Sequence, residues 1–184
     1  MEATKKWLKY DNEDILRSHL EKLTLPLNNE DQQYLDRMIK YIDASYDNKA
    51  KDYNIVPGIA IAANQVGWNK QVIYIHFSNG ENTYHYLLAN PKIKSYSQSK
   101  CFLSGGEGCL SVKKKHDGIV PRRSKVIVEA YDLINNKQIE IIAEDFLAIN
   151  LQHEIDHLNG ILYYDHINKS NPYFVDEEWI EITR

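Results

Sequence analysis

Cysteine, long apolar runs and net charge are all scarce in this sequence, and each shortage excludes a class of protein. Only Cys101 and Cys109 occur among 184 residues, which excludes a disulfide scaffold. No stretch of about 18 consecutive apolar residues is present, and the N-terminus lacks the apolar core of a secretory signal, so we expect a cytoplasmic protein with no membrane partner. A formal net charge of −4 disfavours a surface built for nucleic acid, and we expect no DNA partner.

The composition that is present is typical of a globular protein. Hydrophobic residues make up 43% of the sequence and charged residues 26%. A chain of this length can bury one sizeable core, and it contains no internal repeat or low-complexity segment. We therefore expect residues 1–184 to form a single domain.

The most informative motif is His-Glu-Ile-Asp-His at residues 153–157. Two histidines four residues apart on a helix lie one turn apart on nearly the same face, so His153 and His157 can bind one cation. Glu154 follows the first histidine, the position at which metallohydrolases keep the base that takes a proton from the attacking water. An H-E-x-x-H pattern also arises by chance on ordinary charged helices.

The surrounding sequence favours the metal site. Residues 144–158 distribute apolar side chains around most of a helix, which indicates a buried helix. Buried imidazole and carboxyl groups carry a desolvation penalty unless they are hydrogen-bonded or coordinated. Asn159 and Gly160 supply the signal that ends the helix.

Two further segments offer additional site residues. Cys109, in Glu-Gly-Cys-Leu-Ser at 107–111, is a candidate third ligand that would leave a fourth tetrahedral position open, although many free thiols are merely buried and inert. The run from Gly58 to Gln65 is rich in small residues, which let a ligand or a helix approach the backbone, and it ends in an amide donor. Alone, this run is equally explained by packing.

The coarse pattern of elements predicts an α+β fold, with antiparallel sheets packed around a buried central helix that carries the 153–157 motif. An N-terminal amphipathic helix is predicted after Asn28 from Leu35, Met38, Ile39 and Ile42, and a short helical stretch is possible at 13–19. Predicted strands are 72–77 paired with 83–89, 126–131 paired with 139–142, and the edge strands 161–164 and 179–182.

The three motifs, in this order, resemble those of the peptide deformylases: Gly-x-Gly-x-Ala-Ala-x-Gln, Glu-Gly-Cys-Leu-Ser and His-Glu-x-Asp-His. The likeness extends at both ends to the longer bacterial forms of that family. It implies hydrolytic removal of the formyl group from the N-formylmethionine of nascent peptides, with release of formate. It also implies one divalent metal per chain, held by Cys109, His153 and His157. Fe²⁺ is the expected metal by family, while Zn²⁺, Ni²⁺ or Co²⁺ also suit these ligands.

The resemblance also assigns catalytic roles. Glu154 is expected to shuttle a proton from water to the leaving amine. The Gln65 side-chain amide and the Leu110 backbone N–H are expected to stabilise the negative charge on the former formyl oxygen. By family analogy, Arg122 is a candidate ion-pair partner for Glu107 near the metal loop; an ordinary surface pair is the alternative.

The substrate is expected to lie against Gly58, Ile59, Ala60, Gly108 and Ile149, with Ile59 and Ile149 facing the methionine side chain. Ala60 departs from the family pattern, which has glycine there, and its methyl group is expected to restrict the backbone or narrow the groove.

Partners and rival functions follow from the same residues. Nascent formylmethionyl peptides would be met in transient proximity to the ribosome. A zincin-type peptidase would need a ligand downstream of the motif, for which His166 is the histidine candidate. A non-catalytic metal-binding module would use four protein ligands and leave no open position.

Overall fold

The computed structural model describes residues 2–183 and places α-helices on opposite faces of an antiparallel sheet. The helices and strands, in chain order, are α1 (Asn29–Tyr46), β1 (Ala60–Ala62), β2 (Val72–Asn79), β3 (Asn82–Tyr96), β4 (Lys100–Leu103), β5 (Arg122–Arg123), β6 (Lys125–Asp132), β7 (Lys137–Glu144), α2 (Asp145–Leu158) and β8 (Ile180–Ile182). Short 3₁₀ helices span Lys5–Trp7, Asp14–Arg17, Ala63–Val66 and Tyr163–His166. This is the α+β class that the sequence predicts.

Two sheets organise the described strands. The large sheet has the order β1-β2-β3-β6-β7 and is antiparallel throughout. The small sheet has the order β5-β4-β8, in which β4 pairs antiparallel with β5 and parallel with β8. The parallel pair joins the C-terminal segment to the strand that precedes the Cys109 loop.

Strand β2 lies at the centre of the packing because both of its faces are buried. Val72 and Tyr74 belong to the apolar cluster built with α1, whereas Ile73, Ile75 and Phe77 belong to the cluster built with α2. Successive side chains of a strand point to opposite faces, so this alternation puts the two helices on opposite sides of the sheet.

Helix α1 begins where the sequence predicts. The Asn28 side chain accepts a hydrogen bond from the Asp31 backbone N–H at 2.9 Å, and the Asp31 carboxylate accepts one from the Asn28 N–H at 3.2 Å. This reciprocal capping satisfies backbone donors that no intrahelical partner could reach. Leu35, Met38 and Ile42 are buried along one face.

Helix α2 carries the 153–157 motif and is buried over most of its circumference, as predicted. It ends at Leu158, and Gly160 takes the left-handed conformation with φ of +71° that follows many helix ends. Within residues 2–183, no helix combines the length and apolar character needed to cross a membrane.

Two predicted strands and one predicted helix need correction. Strand β3 does not end before Asn90 but continues to Tyr96, because a register shift with Asn90 at φ of +52° accommodates the following proline as a bulge. Residues 161–164 do not form a strand; the segment turns into a 3₁₀ helix whose start is fixed by a 2.8 Å bond from the Leu162 N–H to the Asp165 carboxylate. The helical stretch at 13–19 is only the 3₁₀ helix Asp14–Arg17.

Candidate metal and hydrolytic site

Three potential ligand atoms converge between α2 and the loop that follows β4. Cys109 contributes Sγ from the loop, and His153 and His157 contribute ring nitrogens from α2; all three atoms lie within 4.8 Å of one another. Cys109 Sγ is 3.2 Å from His157 Nε2. Ligands at about 2.0–2.3 Å from one tetrahedral cation are separated by roughly 3.5 Å, so this set fits a divalent metal.

A buried carboxylate fixes the orientation of His153. Glu107 Oε2 lies 2.7 Å from His153 Nδ1, which leaves Nε2 as the free ligand atom. Arg122 holds Glu107 in turn, with Nε to Oε1 at 2.8 Å and Nη2 to Oε2 at 3.0 Å. Arg122 also pairs with Asp156, one residue before His157.

The electrostatics of this cluster favour positive charge at the point of convergence. Burial alone would raise the pKa of Glu107, but the Arg122 guanidinium and the His153 imidazole lower it to about 2. Burial opposes charge on His153, yet its hydrogen bonds to Cys109 and Glu107 raise its pKa well above the usual value. Burial lowers the pKa of His157 well below the usual value, which keeps this imidazole in the neutral form that binds metals.

Glu154 lies beside the cluster as an acid adapted to neutral pH. Its side chain is buried, and Oε2 has no hydrogen-bond partner among residues 2–183. Burial raises the pKa of Glu154 to about 7; His153 and Arg122 oppose this rise, whereas the neighbouring Glu107 carboxylate adds to it. A carboxyl group with a pKa near neutrality can both accept and return a proton.

Hydrogen-bond donors face the cluster from the other motifs. Gln65 Oε1 accepts the Ala62 N–H at 2.8 Å, which turns Nε2 toward Ser111 Oγ at 3.1 Å and Cys109 Sγ at 3.5 Å. The backbone N–H of Leu110 donates to no acceptor within residues 2–183. Both donors therefore stand beside the cysteine ligand.

An open groove of about 1270 Å³ leads to these residues. The structure places every predicted substrate-binding residue along it: Gly58, Ile59, Ala60, Gly108 and Ile149. Gln65, Glu107, Cys109, Leu110, His153 and Glu154 also line it, whereas Arg122 and His157 lie behind its wall.

Gly58 and Ala60, two of the small residues of the first motif, differ in their surroundings. A Cβ on Gly58 would lie 2.7 Å from Leu110 Cδ1 and 3.3 Å from Ile42 Cδ1, so only glycine fits there without displacing a neighbour. Ala60 lies in β1, paired with Ile75, and is not among the residues with positive φ. Its methyl group is therefore compatible with the backbone φ at this position, whereas the expected narrowing of the groove stays a prediction.

The remaining sequence candidates lie outside the convergence. Cys101 is buried in β4, and burial raises the pKa of its thiol to about 12, so it remains neutral. His166 Nε2 lies 2.7 Å from Asp156 and is not part of the convergent set.

Sequence reasoning missed two buried amides at the site. Asn64 Nδ2 donates to the His157 carbonyl oxygen at 2.6 Å and so fixes the second ligand from behind. Asn150 lines the groove one turn before His153 and Glu154. The i, i+3, i+4 spacing of Asn150 to the motif is the signal that points to it.

Three ligand atoms with an adjacent carboxylic acid, at the end of an open groove, are typical of metal-dependent hydrolases. Residues 5–173 match the family model described as Polypeptide deformylase. The chain is 46% identical over 182 residues to a peptide deformylase of Malacoplasma penetrans, covering 99% of this chain and 98% of that protein. It is 44% identical over 178 residues to a peptide deformylase of Mycoplasma genitalium, covering 97% and 92% respectively.

A solved structure is also similar. The Met-Ala-Ser-bound class I type b peptide deformylase from Acinetobacter baumannii superposes with a TM-score of 0.67 and 30% identity, covering 87% of this chain and 96% of that one. The chain belongs to the peptide deformylase family, whose members are hydrolases that act on N-formylmethionine peptides.

Proposed function

We propose that this chain hydrolyses the N-formyl group from the N-terminal formylmethionine of nascent polypeptides and releases formate. The observation that carries the proposal is the convergence of Cys109, His153 and His157 beside the buried acid Glu154, at the end of an open groove. Residues 1–184 act as a single catalytic domain in the cytoplasm, where nascent chains emerge, in transient proximity to the ribosome.

One divalent cation is held by Cys109, His153 and His157, with Fe²⁺ as the native metal and Zn²⁺, Ni²⁺ or Co²⁺ as substitutes. When bound, the cation supplies a Lewis acid that polarises the substrate and lowers the pKa of a water molecule. Glu107 keeps the Nε2 atom of His153 directed at it, and Arg122 keeps Glu107 ionised.

Glu154 moves the proton. Its pKa of about 7 lets it accept a proton from the attacking water and return that proton to the leaving amine. The Oε2 atom of Glu154 is available for this exchange because it forms no hydrogen bond with any other described residue.

Gln65 and Leu110 stabilise the oxygen on which charge develops. Gln65 Nε2 is held beside Cys109 Sγ by its bond to Ser111, and the Leu110 N–H has no other acceptor within residues 2–183. Donors that are positioned in advance lose no energy to reorganisation when the charge appears, and removal of one typically costs about 3 kcal/mol of barrier.

The groove accommodates the peptide. Gly58, Ile59, Ala60, Gly108 and Ile149 provide its walls, and Met-Ala-Ser is the molecule bound by the similar Acinetobacter baumannii enzyme. A tripeptide with methionine at its first position is therefore a suitable probe.

The test is formate release from formyl-Met-Ala-Ser by anaerobically purified protein, with elemental analysis of the same sample. We expect one formate per peptide and one metal per chain. Cleavage of unformylated Met-Ala-Ser would support a peptidase instead. Absence of formate from fully metal-loaded protein would refute the proposal.

A further inference from the structure

Asn150 is a buried amide whose side chain forms no hydrogen bond within residues 2–183. The residue is 8% exposed and lines the groove from α2. Its Oδ1 atom is buried with no partner among the described residues, and its Nδ2 atom has no partner there either but is not enclosed. The NH₂ group is therefore the end of the amide that is open to the groove.

A second amide on the same helix shows what a structural role requires. Gln152 is equally buried, but its oxygen accepts the Arg123 N–H at 2.9 Å, and its nitrogen donates to the Arg123 and Ala148 carbonyls at 2.9 and 2.8 Å. Asn150 has none of these partners. An apolar side chain of the same shape would pack there without an unsatisfied polar atom, so packing does not explain an asparagine.

The position of Asn150 relates it to the first side chain of the substrate. It precedes His153 and Glu154 by three and four residues, so their Cβ atoms are about 5–6 Å apart on one helix face. In a formylated peptide, the Cβ atom of the first residue lies about 3–4 Å from the formyl carbon. A side chain that leaves the reacting centre along α2 therefore reaches Asn150 within its own length.

We propose that Asn150 is a specificity-determining residue, which donates an Nδ2 hydrogen to an acceptor in the first side chain of the substrate. The inference rests on the proposed function. In methionine the acceptor is the thioether sulfur, which is weak, and in methionine sulfoxide it is the stronger sulfoxide oxygen. Norleucine has the same shape and no acceptor, so it leaves the amide unpaired.

The experiment compares kcat/KM for formyl-Met-Ala-Ser, its norleucine analogue and its methionine sulfoxide analogue, in the metal-loaded wild type and in Asn150→Leu. Leucine matches the shape of asparagine without its donor. We expect the wild type to favour methionine over norleucine by about threefold and Asn150→Leu to abolish this preference, since a net hydrogen bond changes an equilibrium by roughly three- to tenfold. The ratio of kcat/KM for the sulfoxide peptide to kcat/KM for the methionine peptide should be about tenfold lower in Asn150→Leu than in the wild type.

Ile149→Val is the matched control, because it removes one methylene from the same wall and no polar group. It should change kcat/KM for methionine and norleucine in parallel. Asn150→Val supplies a second apolar variant should the leucine variant not fold. An unchanged methionine-to-norleucine ratio in a folded, metal-loaded Asn150 variant would overturn the inference while leaving the deformylase function intact. Failure of the wild type to release formate from every formylated peptide would overturn both.

Discussion

At the scale of single residues, unpaired polar atoms are concentrated at the site. The buried side-chain atoms without a partner among residues 2–183 are Asn64 Oδ1, Asn150 Oδ1, Glu154 Oε2 and His157 Nδ1. Asn150, Glu154 and His157 lie on α2, and Asn64 donates to the carbonyl of His157. Folded proteins rarely leave such atoms unsatisfied, and the exceptions mark positions where function overrides local stability.

Glu154→Gln tests the role of the acid. Glutamine keeps the shape of the side chain but cannot carry the proton, so we expect turnover to fall by about 10²–10⁴-fold. Metal content should stay at one per chain, because Glu154 is not among the three convergent ligands. Formate release and elemental analysis of one preparation measure both effects. Glu140→Gln, at an exposed site in β7, is the control and should keep normal turnover. Normal turnover in Glu154→Gln would exclude Glu154 from the mechanism.

At the scale of elements, the sequence predicts those that carry their own signal. Helix α1 has a cap and a 3.6-residue apolar period, and the hairpins β2–β3 and β6–β7 have local turns. The pairing of β4 with β8 has no such signal, because residues about 80 apart form a short parallel ladder. The stretch at 161–164 has a strand-like composition, but the Asp165 side chain and the preceding Gly160 favour a turn.

The site shows the same division. The motif at residues 153–157 predicts the two histidine ligands and the position of Glu154, because the spacing of residues along a helix is a local property of the sequence. The convergence of Cys109 on α2 depends on contacts between distant segments. The Lys9 N–H donates to the Gln65 carbonyl at 2.8 Å, and the Asp11 N–H donates to the Ser111 carbonyl at 2.9 Å. The N-terminal segment thus joins the first and second motifs, which no periodicity in the sequence indicates.

Gly58→Ala tests the contact between the first motif and the Cys109 loop. The new methyl group would lie 2.7 Å from Leu110 Cδ1, so the Leu110 side chain must move. We expect this movement to shift the Leu110 backbone N–H from its position beside Cys109. We expect kcat to fall by about tenfold, a fraction of the roughly 100-fold or greater loss that removal of an oxyanion donor causes. Steady-state kinetics with formyl-Met-Ala-Ser measure the change.

The control for this prediction is the double variant Gly58→Ala/Leu110→Ala. Leu110 acts through its backbone, so truncation of its side chain relieves the clash and retains the donor. The double variant should recover most of the kcat lost in Gly58→Ala, as expected for two sites in direct contact. Additive losses in the double variant would contradict the proposed coupling.

At the scale of the whole molecule, the site depends on a long loop. Residues 104–121 connect β4 to β5 without a helix or strand and carry Cys109. Loops of this length are uncommon in compact proteins and are often functional. Segments near both termini hold this loop in place. The Ser111 carbonyl accepts a hydrogen bond from the Asp11 N–H, and the Ile119 N–H donates to the Pro172 carbonyl at 2.8 Å.

A cation bound by Cys109, His153 and His157 would join this loop to α2, so metal binding should stabilise the entire fold. Binding only to the native state adds about 4 kcal/mol to the free energy of unfolding at a free metal concentration 1000 times Kd. Anaerobic urea denaturation with and without Ni²⁺ measures the difference. Cys109→Ala should lose most of this gain, whereas Cys101→Ala, which removes the buried thiol of β4, should retain it. An equal stability gain from metal in both cysteine variants would show that the cation binds elsewhere. The gain in the wild type should also increase with pH, because the raised pKa of His153 means that this side chain must lose a proton before the metal binds.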